Sequence, residues 1–275
     1  MPLNIIPLES IEDPRLSPYN NLKERTLRGE SLFIAEGCLV TERLLDSRFE
    51  VESLLISADA TDFEPTFAAK LGKIPIYTVP EKRLLSQIAG FPFHQGMLAI
   101  GKRAPLPDFS EAVRDWHEET GIWIVLPDAT NPDNLGLVFR SAAALGAAGV
   151  VLGERCCDPF SRRALRVSMG GVLQVPVIRS LNLLAEIESL RGTGGLRFYA
   201  TVLDPEAISL CTFRKRPKQM ALLFGNEYNG LAPEYADLCD AKLTIPMAPN
   251  VDSLNLGVSV GVFLYELRQA NRQAD

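Results

Sequence analysis

The sequence is poor in the residues from which metal centres and disulfide frameworks are built. Its 275 residues include only two histidines, and the five cysteines form no C-x-x-C pair. An odd number of cysteines cannot all pair within one chain, and tetrahedral zinc sites take their ligands from cysteine and histidine. The composition therefore argues against a structural zinc site and a disulfide scaffold, and it predicts buried or idle thiols.

Long apolar runs and an excess of positive charge are also missing. No basic-then-apolar segment opens the chain and no apolar run could span a bilayer, so we expect a cytoplasmic protein. The net charge of −6 argues against bulk attraction to nucleic acid. Phosphate binding would instead need local basic clusters, of which there are three: Lys23, Arg25 and Arg28; Arg162, Arg163 and Arg166; Arg214, Lys215, Arg216 and Lys218.

What the chain does contain is a globular composition, with 47% hydrophobic and 23% charged residues. Strand-like runs such as VESLLIS (51–57) alternate with helical patterns, which favours an α/β architecture. A polar stretch with two prolines follows GMLAIGKR (96–103) and is typical of a linker, although its centre could also be a surface helix. We expect a first domain over 1–105, a linker over 106–120 and a second domain over 121–275.

The second domain shows the more regular alternation. Short buried runs such as IWIVL (122–126) and ALLF (221–224) are separated by helical segments, which predicts a parallel sheet covered on both faces. Ligands of such sheets bind beyond the carboxyl ends of the strands. Three loops that follow strands therefore hold the candidate site.

The first loop, LPDATNPDNLGLVFRSAAALGA (126–147), leads into a helix predicted over 135–145 with Asn134 as its N-cap. Arg140 lies off the apolar face of that helix and would extend back over Gly136 toward the loop. A cation near a helix N-terminus opposes the helix dipole unless an anion compensates it, such as a phosphate or a carboxylate. The alternative is a solvated arginine on an exposed helix face.

The second loop is LLFGNEYNGL (222–231), a strand that runs into a tight turn. Gly225 would let the backbone approach a ligand closely, and Glu227 could pair with a cation. An ordinary turn with a solvated glutamate explains these residues equally well.

The third loop lies within IPMAPNVDSLNLGVSVGVFLYE (245–266). Ser253 is a candidate N-cap, and the alternation from Leu254 to Val262 is compatible with a strand. In a helix, however, Ser253, Gly257 and Gly261 align as a face of small residues that allows close backbone packing. We predict the helix.

Together and in this order, the three loops resemble the signature motifs of the SpoU/TrmH-type RNA 2′-O-ribose methyltransferases, within the SPOUT superfamily. The matching segments are Asn131 to Ala142, Phe224 to Gly230, Ile245-Pro246-Met247, Ser253-Leu254-Asn255 and Leu264-Tyr265-Glu266. The resemblance covers residues 121–270 closely. LFIAEG (32–37) and FPFHQGMLAI (91–100) resemble the family's N-terminal substrate-binding domain less sharply.

The resemblance implies an α/β fold with a C-terminal parallel-sheet domain that contains a trefoil knot, plus a smaller N-terminal α/β domain that binds RNA substrate. It also implies a homodimer through the knotted domain, S-adenosylmethionine as cofactor, and no metal. Ribosomal RNA is favoured over tRNA, because a separate N-terminal domain is more typical of members that act on large ribosomal RNA.

The resemblance assigns residues as well. Those implied to hold the cofactor are Gly225, Ile245, Met247 and Leu254. Those implied to form the catalytic cluster are Asn134, Arg140, Glu227, Ser253 and Asn255. The chain departs from the family pattern at Leu145, Ala248 and Gly257, none of which belongs to the catalytic set.

Two other functions stay open at this point. A catalytically silent RNA-binding homologue would keep the fold, but it would have lost the catalytic side chains that are present here. A nucleotide-dependent dehydrogenase would need G-x-G-x-x-G after a strand, whereas GTGG (192–195) precedes one. Binding of S-adenosylmethionine but not NAD would exclude the dehydrogenase.

Overall fold

The computed structural model describes residues 3–20, 31–90, 96–116, 120–191, 195–213, 217–248 and 253–269. The strands in these ranges are β1 Ile5–Pro7, β2 Leu32–Glu36, β3 Val51–Ser57, β4 Ile76–Val79, β5 Met97–Lys102, β6 Gly121–Leu126, β7 Gly149–Leu152, β8 Val177–Arg179, β9 Leu196–Thr201, β10 Ile208–Ser209, β11 Gln219–Phe224 and β12 Ala241–Thr244. The α-helices are α1 Cys38–Leu45, α2 Pro65–Leu71, α3 Lys82–Ala89, α4 Phe109–Arg114, α5 Pro132–Leu145, α6 Arg162–Val167, α7 Leu183–Leu190, α8 Pro233–Ala236 and α9 Leu256–Gln269.

The chain divides into two compact units, and the division differs from the expected boundaries in two respects. The first unit contains Met1–Ala104 and Phe160–Gln174, and the second contains Pro105–Pro159 and Val175–Asp275. The expected linker includes α4, which packs against α7 and β8 in the second unit. The segment Phe160–Gln174 lies in the first unit although the sequence places it beyond residue 121.

Two contacts explain why the segment Phe160–Gln174 packs in the first unit. The ring of Phe160 lies 5.2 Å from that of Phe33, centroid to centroid, and this contact buries apolar surface. Arg162 Nη1 lies 2.8 Å from Glu36 Oε2, and Glu36 is only 6% exposed. A buried carboxylate needs such a partner, so α6 is fixed to the edge strand β2.

The sheet of the first unit is mixed and has the strand order β1-β4-β3-β5-β2. The pairs β1·β4 and β3·β4 are parallel, whereas β5 is antiparallel to both β3 and β2. In the core of this unit, Tyr19 is fully buried and its hydroxyl lies 2.7 Å from Ser53 Oγ. Burial raises the pKa of Tyr19, so the phenol stays neutral.

The sheet of the second unit has seven strands in the order β10-β12-β9-β11-β6-β7-β8. Every neighbouring pair is parallel, which confirms the predicted parallel sheet. Because β11 lies between β6 and β9, and β12 lies beside β9, the carboxyl ends of these four strands meet at one edge. The loops that follow them are thereby brought together.

Helices α5 and α9, which begin at this edge, start at residues other than those predicted. Asn131 caps α5, since its Oδ1 accepts from Asp133 N at 2.9 Å and Pro132 occupies the first helical position. Asn134 is therefore not the cap, because it lies inside the helix. Asn255 caps α9 by accepting from Gly257 N at 2.9 Å, so Ser253 is not the cap either. The prediction of a helix rather than a strand after Asn255 is confirmed.

Helices α5 and α9 pack closely on one another. A Cβ added at Gly257 would lie 2.4 Å from Leu137 Cβ, so only glycine permits this approach. Ser141 Oγ donates to Gly257 O at 3.1 Å, and Arg268 Nη1 donates to Leu145 O at 2.5 Å. Within the described ranges, no helix has the length and apolar character needed to cross a bilayer.

Candidate active site

A pocket of about 470 Å³ opens at the carboxyl edge of the parallel sheet. Its wall is formed by the loops after β9, β11 and β12 and by the start of α9. The residues that line it are Thr201, Val202, Leu203, Phe224 to Leu231, Ile245, Met247, Ser253, Leu254, Leu256, Ser259 and Phe263. Its size and its mixture of apolar side chains with a few polar groups are those of small-molecule sites.

A chain of hydrogen bonds joins the three loops beside this pocket. Asn134 Nδ2 donates to Glu227 Oε1, and Asn134 Oδ1 accepts from Asn255 Nδ2 at 2.8 Å. Because both ends of the Asn134 amide are engaged, its orientation is fixed. Asn255 is held in turn by its capping bond to Gly257 N. The carboxylate of Glu227 is thus held directly by Asn134 on α5 and, through Asn134, by Asn255 at the start of α9.

The turn that carries Glu227 is closed by backbone bonds. Asn226 N donates to Gly230 O at 3.1 Å, and Gly230 N donates to Asn226 O at 2.9 Å. The side-chain oxygen of Asn226 also accepts from Tyr228 N at 2.8 Å and from Asn229 N at 3.0 Å. These four bonds give the turn a single backbone geometry.

Gly225 serves the closure of this turn. A Cβ at Gly225 would lie 2.0 Å from both Gly230 C and Leu231 N. The returning strand of the turn therefore occupies the space that a side chain would need. We expected the glycine to permit close approach of a ligand, whereas the structure requires it for the approach of the chain itself.

Asp128, which follows β6, supports the same turn. Its Oδ2 lies 3.4 Å from Asn226 Nδ2 and 3.2 Å from Arg155 Nε. Its Oδ1 is buried and has no hydrogen-bond partner within the described chain. Asp128 was not among the predicted site residues. Its position at the carboxyl end of the strand beside β11 was the available signal.

The structure brings together most of the residues implied by the resemblance. Gly225, Ile245, Met247 and Leu254 line the pocket, as do Glu227 and Ser253. Asn134 and Asn255 are joined to Glu227 by the hydrogen bonds described above. The loop Thr201–Leu203 also lines the pocket and was missed, although it too follows a strand of the parallel sheet.

Arg140 lies apart from this group. It is exposed on α5 and does not line the pocket. Six residues separate it from Asn134, which places it about 9 Å further along the helix axis and about 240° around it. Within one chain, the guanidinium therefore does not join the cluster of Asn134, Glu227 and Asn255.

The structure describes only part of the three basic clusters predicted from the sequence. Lys23, Arg25 and Arg28 lie outside the described residues, as do Arg214 to Arg216. On α6, Arg162 is paired with Glu36, so its charge is compensated within the first unit. Arg163 and Arg166 are exposed on the same helix.

Comparison with known proteins identifies the family. The family model described as SpoU rRNA Methylase matches residues 121–265, a range that contains every residue lining the pocket. A Mycobacterium bovis protein named as an uncharacterized tRNA/rRNA methyltransferase is 33% identical over 266 residues, which cover 93% of this chain and 88% of that protein. The chain belongs to the SpoU rRNA methylase family.

Solved structures resemble this SpoU methylase over different lengths. The AdoMet-bound rRNA methyltransferase from Sinorhizobium meliloti is 28% identical with a TM-score of 0.80, and the match covers 97% of this chain and 98% of that one. A structure concerned with 2-OH methylation of C/U34 on tRNA is 32% identical with a TM-score of 0.50, and it covers 57% of this chain and 99% of its own. The first match extends over nearly the whole SpoU methylase, and the second over little more than half of it.

Proposed function

We propose that this SpoU methylase transfers a methyl group from S-adenosylmethionine to a ribose 2′-hydroxyl of RNA, with ribosomal RNA as the favoured substrate. The observation that carries the proposal is the hydrogen-bond chain Glu227–Asn134–Asn255 at the edge of the pocket. It places polar groups of fixed orientation beside a cavity of cofactor size. The Sinorhizobium relative is an AdoMet-bound rRNA methyltransferase, which supports both the cofactor and the substrate class.

The pocket fits the proposed cofactor chemically. Ile245, Met247 and Leu254 offer apolar surface for an adenine ring. The main-chain groups of the turn 225–231 are fixed donors and acceptors that suit a ribose and an amino-acid end. Glu227 adds a carboxylate at the rim, which is favourable near a cation. When bound, S-adenosylmethionine supplies a methyl group attached to a positively charged sulfur.

Methylation of a hydroxyl requires that the oxygen be aligned with the methyl group. The new C–O bond replaces the C–S bond, S-adenosylhomocysteine leaves as the neutral thioether, and the hydroxyl proton passes to solvent water. The proteins of this reaction class therefore gain most from orientation. In our proposal Asn134, Asn255 and Ser253 orient the ribose, and Glu227 fixes Asn134. Arg140 binds the phosphate of the target nucleotide and stabilises the developing alkoxide. A guanidinium is a poor general base because it barely deprotonates in proteins.

This role of Arg140 requires a second copy of the chain. Arg140 does not line the pocket of its own chain, and its side chain is exposed on α5. We therefore include a homodimer in the proposal, in which Arg140 of one subunit completes the pocket of the other. The close packing of α5 on α9 supplies a rigid support for such an interface, and the trefoil knot implied by the resemblance belongs to the same proposal.

Methyl transfer to unmodified RNA tests the reaction. The protein is incubated with S-[methyl-³H]adenosylmethionine and transcripts of ribosomal RNA or tRNA, and the RNA is digested to nucleosides. We expect label in 2′-O-methylated nucleosides from the ribosomal RNA. Label in methylated bases would refute ribose methylation, and label from tRNA alone would favour the tRNA alternative. An absence of transfer with intact cofactor binding would identify a silent RNA-binding homologue.

A mixed dimer tests the placement of Arg140. Arg140→Ala and Asn134→Ala chains are coexpressed with different tags, and the heterodimer is purified over both. If Arg140 acts across the dimer, one site of the heterodimer is intact and about half of the wild-type activity per dimer returns. If Arg140 acts within its own chain, both sites are defective and the heterodimer stays as inactive as the parent homodimers.

A further inference from the structure

One aromatic side chain at the rim of the pocket is almost fully exposed. Tyr228 is 92% exposed and lines the rim. The other aromatic residues of the lining, Phe224 and Phe263, are each 2% exposed and pack edge to face with their centroids 5.5 Å apart. Among the described residues of the lining, Tyr228 is thus the aromatic ring with a face available to a ligand.

The backbone beneath Tyr228 is held in place. Its N–H donates to Asn226 Oδ1 at 2.8 Å, inside the turn closed by the Asn226–Gly230 bonds. Asn226 is supported in turn by Asp128. The turn therefore presents the ring from a fixed base, which lowers the entropy lost when a partner packs on it.

The position of the ring relative to Glu227 suggests what that partner is. Adjacent Cα atoms lie about 3.8 Å apart, and Tyr228 directly follows Glu227, whose carboxylate accepts a hydrogen bond from Asn134. In a nucleotide, the base is attached to the carbon next to the one that carries the 2′-hydroxyl. A ribose held by the Asn134 cluster would therefore bring its base, or that of the adjacent nucleotide, within reach of the ring.

We propose that Tyr228 is a stacking platform for an unpaired nucleobase of the RNA substrate, and that Leu203 contributes further apolar surface to the same pocket. Leu203 is 60% exposed and lines the same pocket. Single-stranded bases stack on aromatic rings largely independently of their identity. The platform thus selects an unpaired nucleotide rather than a particular base. This inference rests on the proposed function, because it presumes that RNA is the substrate.

The test compares binding of two fluorescein-labelled probes by anisotropy, without cofactor. One is the ribo-oligonucleotide r(A)12, and the other is a 12-mer of the same phosphate charge in which every nucleotide is abasic. Replacement of a stacking residue by alanine weakens binding by about 5- to 150-fold. We expect Tyr228→Ala to weaken r(A)12 by such a factor and to leave the abasic probe unchanged, whereas Tyr228→Phe binds both as wild type.

Leu203→Ala and Leu181→Ala form a matched pair of controls, since Leu181 is 84% exposed but does not line the pocket. We expect a smaller, base-dependent loss for Leu203→Ala and no loss for Leu181→Ala. Equal weakening of both probes by Tyr228→Ala, or a change in its oligomeric state, would overturn the platform. Failure of the proposed function has a different readout, because the wild-type protein would then transfer no methyl group to RNA.

Discussion

Replacement of Asn255 by aspartate separates the two roles of that side chain. Asn255 Oδ1 caps α9 by accepting from Gly257 N, while Asn255 Nδ2 donates to Asn134. Aspartate keeps the accepting oxygen and loses the donor. The carboxylate would then face Asn134 Oδ1, and the amide of Asn134 would turn away from Glu227.

The sizes of the two effects can be worked from these contacts. Asparagine and aspartate are equivalent N-caps, and a negative charge at a helix N-terminus adds about 0.3–1 kcal/mol, so the stability of Asn255→Asp should not fall. Loss of the hydrogen bond between Asn255 and Asn134 removes about 0.5–1.5 kcal/mol of the free energy that positions the ribose-binding groups. Loss of the Asn134–Glu227 hydrogen bond removes a similar amount. Together they correspond to a decrease in kcat/KM of about 5- to 150-fold.

The assay combines thermal unfolding with methyl transfer to RNA. Asn255→Ala is the control, because it loses the cap as well: about 1 kcal/mol, or a Tm lower by roughly 2–4 °C. We expect Asn255→Asp to have the wild-type Tm and reduced turnover, and Asn255→Ala to lose both. Wild-type kcat/KM in Asn255→Asp would refute a catalytic function for the hydrogen-bond chain.

Two further predictions concern the helix pair and the buried thiols. Gly257→Ala places a Cβ 2.4 Å from Leu137 Cβ and should destabilise the protein by about 1–3 kcal/mol in urea unfolding. In Gly261→Ala the new Cβ would meet only Ser141, at 3.4 Å from Oγ and 3.8 Å from Cβ, so this variant should be neutral or stabilising; equal losses in both variants would contradict the packing argument. Burial raises the pKa of the Cys156 thiol from 9.0 to about 12, so this thiol stays protonated in the folded protein at neutral pH. The contribution of this pKa shift to the free energy of unfolding is complete below pH 9 and declines between pH 9 and pH 12. A thiol reagent at pH 8 should therefore modify the exposed Cys38 and Cys211 while Cys156 reacts only on unfolding, and labelling of all three at one rate would show the prediction to be wrong.

Local patterns in the sequence predicted elements whose burial is set by their own composition. VESLLIS became β3 with the expected bounds, and the β-branched run after Gly121 became the buried strand β6. The C-terminal helix was also predicted, because its charged amphipathic end continues without a turn signal. The short strands β1 and β10 were missed, since three and two residues give no periodicity to detect.

Helix starts were predicted less well, for a physical reason. Asn131, Asn134, Ser253 and Asn255 are all suitable caps by residue type, so composition cannot choose among them. The choice depends on which side chain has a better partner elsewhere. Asn134 bonds to Glu227, 93 residues away, and leaves the cap to Asn131.

By itself, the sequence determined the alternation of strands and helices and the three loops that carry the motifs, because each depends on residues close together in the chain. Only the tertiary structure decided that α6 packs in the first unit and that Asn134, Glu227 and Asn255 form one hydrogen-bonded chain. These outcomes depend on strand order and on partners more than a hundred residues apart, such as Glu36 for Arg162 and Asn255 for Asn134. Long-range contacts of this kind leave no periodic trace in the sequence.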